Sequence, residues 1–407
     1  MKAVETNNNK LRELQVMNDV VIVAAKRTPM GGFQGALSGV TATDLGANAI
    51  AASLSAAGVS ASDVQEVYMG CVLPAGLKQA PARQAALGAE LPQSVPCTTV
   101  NKVCGSGMKS VMLAASQIRA GEIEVAVAGG MESMSNAPYL MDKARSGYRM
   151  GHQRVYDHMF TDGLEDAYDG NAMGVHAQRT ATERNIGREQ MDEYALESLR
   201  RAQAAIEQGH FQAEISPVTV STRKGDLVVD TDEQPGLARP DKIPQLRPAF
   251  AKDGTITAAN ASSISDGAAA LVLMSRAKAD ALGLEVLATV RSYASHAQAP
   301  SEFTCAPIGA MQKSLSAAGW TAADVDLAEI NEAFAMVTMM GMADVGLSHD
   351  RTNVSGGACA LGHPLGCSGA RILVTLLHNL IRLDKKKGLA ALCIGGGEGT
   401  AVCIERP

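Results

Sequence analysis

The chain reads as an α/β protein made of two homologous halves, the first interrupted by a long insertion. Three observations carry this reading. Ser106-Gly107-Met108-Lys109 returns as Ser368-Gly369-Ala370-Arg371, 262 residues on, and the stretch 56–64 (AAGVSASDV) returns at 317–325 (AAGWTAADV), 261 residues on. Two matches in the same order at nearly the same offset mark a duplicated domain, since solenoid repeats are far shorter. Apolar runs also alternate with helical patterns, which argues for a parallel sheet covered on both faces. Finally, composition changes after Gly130, where charge and Met, Tyr, Asp and Arg rise until Ser262.

The elements follow in order. Residues 20–25 (VVIVAA) are wholly apolar, the mark of a central parallel strand. A helix pattern over 43–57 stops at Gly58, a strand follows over 66–71, and a β-like run over 96–103 leads into a helix over 108–120 that stops at Gly121. Residues 125–128 make the next strand, and 125–130 (VAVAGG) are echoed at 391–396 (ALCIGG). The first half thus spans 19–130 and is completed by 263–286, with a strand at 266–274. Residues 131–262 read as an inserted loop domain with helix patterns at 173–185 and 188–208 and a Pro- and Arg-bearing stretch at 235–250. Residues 287–407 form the second half. Related halves pack about a pseudo-twofold axis, so the Cys104 turn is expected to meet its counterpart around 362–369.

Composition narrows the partners. At 407 residues the chain holds two or three domains, and its 40 glycines suit closely packed helix-on-sheet layers. A net charge of −6 supplies no attraction for nucleic acid. No apolar run reaches the roughly 20 residues a bilayer span needs, which argues against a membrane partner. Residues 1–18 mix Lys2, Lys10 and Arg12 with Glu5 and Glu13 and lack an apolar core, so they read as neither secretory signal nor transit peptide. The eight cysteines are scattered without a CxxC pair, which speaks against a disulfide framework and for a reducing, cytoplasmic setting.

Four positions carry chemistry. Cys104, in NKVCGSGMKS, stands at a glycine-flanked strand-to-helix turn, where the helix dipole is expected to draw its pKa from about 8.5 toward roughly 3.5–7.5. His363 lies in a glycine- and proline-fixed turn (356–369), Asn331 follows a probable strand, and Cys393 ends another beside the amides of Gly395-Gly396-Gly397. A nucleophilic thiol, a base, a second thiol able to move a proton and oxyanion donors are what acyl transfer coupled to proton removal beside a carbonyl requires. The rival readings are plainer: buried structural thiols for the cysteines, a structural turn for His363, and a solvated turn for Lys385-Lys386-Lys387. A zinc site from Cys104, His363 and Cys393 lacks the short ligand spacing of structural zinc. The glycine-rich turns match neither GxxxxGKS/T nor a GxGxxG helix, against a phosphate cradle.

Five blocks resemble the signatures of the thiolases in order and spacing: NKVCGSGMKS, GGMESMSNAPY (129–139), NEAFA (331–335), GGACALGHPLGCSGAR (356–371) and CIGGGEG (393–399). The resemblance covers 19–405. It implies two βαβαβαββ halves in a five-layer α-β-α-β-α sandwich with an inserted loop domain that binds coenzyme A and serves oligomerisation. It further implies an acyltransferase that reversibly cleaves acetoacetyl-CoA or condenses two acetyl-CoA through an acetyl-cysteine, with no required cofactor and coenzyme A as a substrate. By motif, Cys104 is the acyl-accepting nucleophile and His363 its base. His363 and a water held by Asn331 form one oxyanion hole, the amides of Cys104 and Gly395 another, and Cys393 exchanges a proton with the α-carbon. Ser262 matches a serine at the pantetheine arm. Met173, Phe250, Phe303, Leu164, Ala333 and Phe334 are the further substrate- or CoA-binding positions.

This chain departs from the short-chain biosynthetic pattern at Ala172-Met173, where a His-Met pair is usual, and at Phe303, where Met is usual. The stretches 241–250 and 303–307 are similar to the mitochondrial acetoacetyl-CoA thiolase branch, which accepts a 2-methyl group and responds to potassium. Tyr168, Ala258, Ala259 and Ala261 are accordingly the expected K⁺ surroundings, although Cys359 replaces an aliphatic residue beside them. A homotetramer built as a dimer of dimers is expected. The alternatives are a 3-ketoacyl-CoA thiolase of broader chain length, a decarboxylating ketoacyl synthase, and a non-catalytic acyl-CoA- or lipid-binding homologue.

Overall fold

A computed structural model describes residues 19–407; the stretch 1–18, read as carrying no leader, lies outside the described residues. The first half runs β1 (Val20–Arg27), α1 (Ala42–Ala57), β2 (Glu66–Gly70), α2 (Pro81–Gly88), β3 (Cys97–Val100), α3 (Ser106–Ala120) and β4 (Val125–Ser133). After the insertion, which carries α4 (Met173–Glu183) and α5 (Arg188–Glu207), it closes with β5 (Ser265–Ser275). The second half runs β6 (Ala288–Ala297), α6 (Ala306–Ala318), β7 (Leu327–Ile330), α7 (Ala335–Val345), α8 (Leu365–Arg382), β8 (Lys387–Ile394) and β9 (Glu398–Glu405).

Strand order is β3-β2-β4-β5-β1 in the first half and β7-β8-β9-β6 in the second. These are the same order once the missing strand of the second half is supplied. That strand has shrunk to an isolated parallel bridge, Thr352 to Ala328, at the open edge of β7. The Asn353 side chain replaces the lost ladder there, accepting from the Ile330 N–H and donating to the Ile330 carbonyl. The strands of the two halves pair through only two residue pairs, Val21 with Thr289 and Ile22 with Ala288.

Alternation along β1 shows how the layers stack. Val20 and Ile22 face a core shared with α3 and α8, whereas Val21 and Val23 face α1 and α2. On the far side α6 and β7 pack a third core with Leu389, Ala391, Ala401 and Cys403. The result is the five-layer sandwich, with α3 and α8 as the middle layer in contact with both halves. The repeat is visible in the caps, for Gly58 and Gly319 end α1 and α6 in the left-handed region at φ 64° and 70°.

β1 departs from the expected central parallel strand, because it pairs antiparallel with both β5 and β6. It runs in the same sense as β2, β3 and β4, but β5 returns from the insertion and lies between β4 and β1. Burial on both faces makes a strand wholly apolar whatever its neighbours' direction, so the pattern could not report it. β4 also continues past the change of composition to Ser133, paired with Asp266 of β5. The insertion is anchored to the sheet by buried Arg27, whose guanidinium donates to Glu214 at 2.6 Å and to Asp232 at 2.6 and 2.8 Å. Among the described residues no helix is long and apolar enough to cross a membrane.

Candidate active site

The repeated turns meet in the middle layer. A Cβ on Gly107 would stand 2.9 Å from the Ala370 nitrogen, and one on Gly369 would stand 2.5 Å from the Met108 nitrogen. Only glycine lets α3 and α8 cross this closely, so the repeated Ser-Gly is a packing motif as well as a duplication marker. Around this crossing Cys104, His363 and Cys393 line one cavity of about 230 Å³ together with Gly395.

Cys104 sits in a locked turn between β3 and α3. Val103, before it, holds a left-handed φ of 44°, and the Ser106 hydroxyl accepts from the Lys102 N–H and donates to the Val103 carbonyl. The structure corrects the expected acidic thiol: burial pushes Cys104 up to about 11, against the opposing pull of the Gly395 and Cys104 amides. The helix begins two residues later, at Ser106, and an apolar site penalises the thiolate more than two amides favour it. At rest Cys104 is therefore a thiol rather than a thiolate.

His363 lines the same cavity as Cys104. Its backbone N–H donates to Ser263 and its ring is buried. Ser368, one turn into α8, donates its single proton to the Pro364 carbonyl at 2.8 Å and lies 2.5 Å from His363 Nδ1. With the Ser368 proton assigned to the Pro364 carbonyl, Nδ1 carries the hydrogen and donates, which leaves Nε2 with a lone pair, and Nε2 has no partner among the described residues. Burial, helped by the Arg371 cation, pushes the imidazole down to about 3, so it stays neutral. Asn331, fixed at the end of β7, lies behind the ring with Nδ2 3.5 Å from Nδ1 and does not itself line the cavity. Cys393, 1% exposed at the end of β8, is held well above the ordinary thiol range by burial and by Cys104.

The remaining expected residues divide. Leu164, Met173, Phe250, Ser262, Phe303, Ala333 and Phe334 all line the cavity. Phe334 meets Phe250 and Phe303 edge-on, with ring centroids 6.2 and 6.4 Å apart, and the Ser262 hydroxyl donates to the Ala333 carbonyl at 3.0 Å. Of the four expected cation positions, Tyr168 is 77% exposed, Ala258 and Ala259 line a separate cavity, and Ala261 lines the first one. Asp166, Asp169 and His176 bring ligand-type atoms within 4.8 Å, but Asp166 already caps the Tyr168 and Asp169 amides and His176 pairs with Asp169.

Sequence reasoning missed Ser368 and Glu132. Ser368 was visible as a member of the repeat, five residues after His363. Buried Glu132, in the GGMES block, accepts from the amides of Val72 at 3.0 Å, Leu73 at 3.1 Å and Gly366 at 2.8 Å, tying the His363 turn to the end of β2. Burial raises its carboxyl to about 7 against those amides. Nothing in its local pattern signals this, since all three partners are distant backbone.

A neutral imidazole beside one thiol, a second buried thiol and converging amides on an apolar cavity define a thiol-dependent acyl-transfer site in a duplicated α/β fold. The thiolase N-terminal domain family matches residues 20–277 and the thiolase C-terminal domain family residues 284–406. The chain belongs to the thiolase family. It is 52% identical over 392 residues to the acetyl-CoA acetyltransferase of Pseudomonas aeruginosa, covering 96% of this chain and 100% of the relative. It is 53% identical over 392 residues to that of Escherichia coli, with the same coverage. A crystal structure of a thiolase from Ascaris suum in complex with coenzyme A superposes with a TM-score of 0.91 at 42% identity, covering 96% of this chain and 100% of that one.

Proposed function

We propose that the protein is an acetyl-CoA C-acetyltransferase that cleaves acetoacetyl-CoA with coenzyme A into two acetyl-CoA and runs the reverse condensation. The observation that carries this is the placement of Cys104, the unpartnered Nε2 of His363, Cys393 and Gly395 on one cavity, where the Gly395 amide favours the Cys104 thiolate. The names of the relatives agree with it.

In thiolysis His363 Nε2 takes the Cys104 proton as the sulfur attacks the 3-keto carbon. The amides of Cys104 and Gly395 receive the developing oxyanion. The C2–C3 bond then breaks, the electron pair passes to the α-carbon of the departing acetyl-CoA, and Cys393 protonates it, with His363 and an Asn331-held water supporting the enolate oxygen. A second coenzyme A, losing its proton to Cys393, attacks the acetyl-cysteine and returns the Cys104 thiolate, which recovers its proton from His363. A thiol pKa of about 11 suits Cys104 to staying protonated until substrate and base are both in place.

Residues 131–262 supply Leu164, Met173, Phe250 and Ser262 to the cavity, which supports their assignment as an inserted, coenzyme A-binding domain. The remaining parts of the reading are a cytoplasmic location and a dimer-of-dimers assembly. The test is coenzyme A-dependent cleavage of 3-ketoacyl-CoAs from C4 to C16, with 2-methylacetoacetyl-CoA included. Cleavage of acetoacetyl-CoA is expected, and an inert C4 substrate would overturn the assignment.

A further inference from the structure

For the amide of Gly395 to meet the Cys104 sulfur, turns from opposite halves must be held together: the thiol turn at 101–106 and the hairpin at 394–398. Three contacts join them. Gly395 lies against Val103, the residue before the thiol, a Cβ on it standing 3.7 Å from Val103 Cγ1; Ile394 packs where a Cβ on Gly105 would sit 2.4 Å from its Cδ1; and Lys102 Nζ pairs with the Glu398 carboxylate. The hairpin is intrinsically soft, because Gly396 and Gly397 hold φ values of 88° and 87° and glycine loses the most freedom on ordering. Its two ends are tied by register, with Glu398 directly opposite Ile394 and Gly399 opposite Cys393. Lys102 is equally well seated, its N–H donating to Ser106 at 2.8 Å and its carbonyl accepting from Gly105 at 3.0 Å. Neither Lys102 nor Glu398 lines the cavity.

We propose that Lys102 and Glu398 are a positioning pair that straps the glycine hairpin of the second half onto the thiol turn of the first, setting the Gly395 amide against the Cys104 sulfur. This rests on the acyl-transfer reading above. The side chains are 21% and 37% exposed, so the pair contributes little to folding stability. Its weight falls on geometry, since a misplacement of about 1 Å at a reacting centre costs on the order of 10² in rate.

The test measures acetoacetyl-CoA thiolysis and, separately, the rate of iodoacetamide alkylation at Cys104 by peptide mapping at fixed pH. Lys102→Met and Glu398→Gln should each lower kcat about tenfold with KM unchanged within about twofold. Loss of the amide raises the thiol pKa, so Cys104 alkylation should slow in both variants whether or not the protein turns over acetoacetyl-CoA. The swapped variant Lys102→Glu/Glu398→Lys should recover both readouts to within about threefold of wild type. Three results overturn the proposal: wild-type kcat and alkylation in the single variants, a loss confined to KM for coenzyme A, or a folded swapped variant with no recovery. An inactive wild type whose alkylation rates still follow this pattern would reject the assigned activity and keep the strap.

Discussion

Replacing Ser368 with Ala tests the tautomer of His363, on which the base depends. In the proposed tautomer the Ser368 oxygen, 2.5 Å from Nδ1, accepts from Nδ1–H, so Nε2 is the free lone pair. Without the hydroxyl, Nδ1–H is a buried donor with no partner, a cost of about 1–3 kcal/mol. The ring escapes that cost by moving its proton to Nε2, which removes the base. A tautomer preference shifted by this amount lowers the acylation rate by roughly 5- to 150-fold. The lower end applies if Asn331 turns its amide, because its unpartnered Oδ1 could then accept from Nδ1–H in place of the 3.5 Å Nδ2 contact. Two measurements decide it: the single-turnover acetylation rate of Cys104 by mass spectrometry, and ¹⁵N-histidine chemical shifts, which distinguish the tautomers. Expected are slower acetylation with KM little changed and a signal moving toward the Nε2–H form. Wild-type acetylation in a folded Ser368→Ala protein would refute the reasoning.

Cys393→Ala should leave acetylation of Cys104 by acetyl-CoA largely intact while condensation and thiolysis fall by roughly 10²–10⁴ and deuterium exchange into the acetyl methyl group is lost; abolished acetylation with surviving exchange would reverse the two cysteine roles. With the Cys104 pKa pushed up to about 11, its thiol is the neutral form below that pH, so alkylation of the resting protein should climb about tenfold per pH unit from 7 to 10. A plateau already reached near pH 7 would instead indicate a preformed thiolate–imidazolium pair. Phe303 is 3% exposed and packs edge-on against Phe334, which together with the small cavity predicts graded activity on 2-methylacetoacetyl-CoA and little cleavage beyond about C6. Phe303→Ala should destabilise the fold by about 3–5 kcal/mol, read as a lowered melting temperature, and extend cleavage toward longer chains. Efficient C16 cleavage by the wild type would remove Phe303 as the limit.

The sequence by itself determined the architecture, because duplication leaves a linear record. The repeat offsets, the capping glycines Gly58 and Gly319 and the alternation of apolar runs with helices are local or periodic signals that survive without coordinates. That Cys104, His363 and Cys393 meet at one cavity with Asn331 behind the ring was expected from the sequence, because the first three sit in glycine-punctuated blocks and Asn331 directly follows a strand. Strand direction was not legible: residues 20–25 are apolar because both faces are buried, and only the return of β5 from the insertion sets β1 between antiparallel neighbours. Nor was the protonation state. The residues flanking Cys104 suggested an acidic thiol at a helix start, whereas burial, a property of the whole packed site, made it a weak acid and made His363 a neutral base. The contact of buried Glu132 with the Gly366 amide and the strap from Lys102 to Glu398 join residues 234 and 296 positions apart. Such contacts exist only once the two halves have closed on each other, because the energy that favours them comes from desolvation and geometry that no single segment carries.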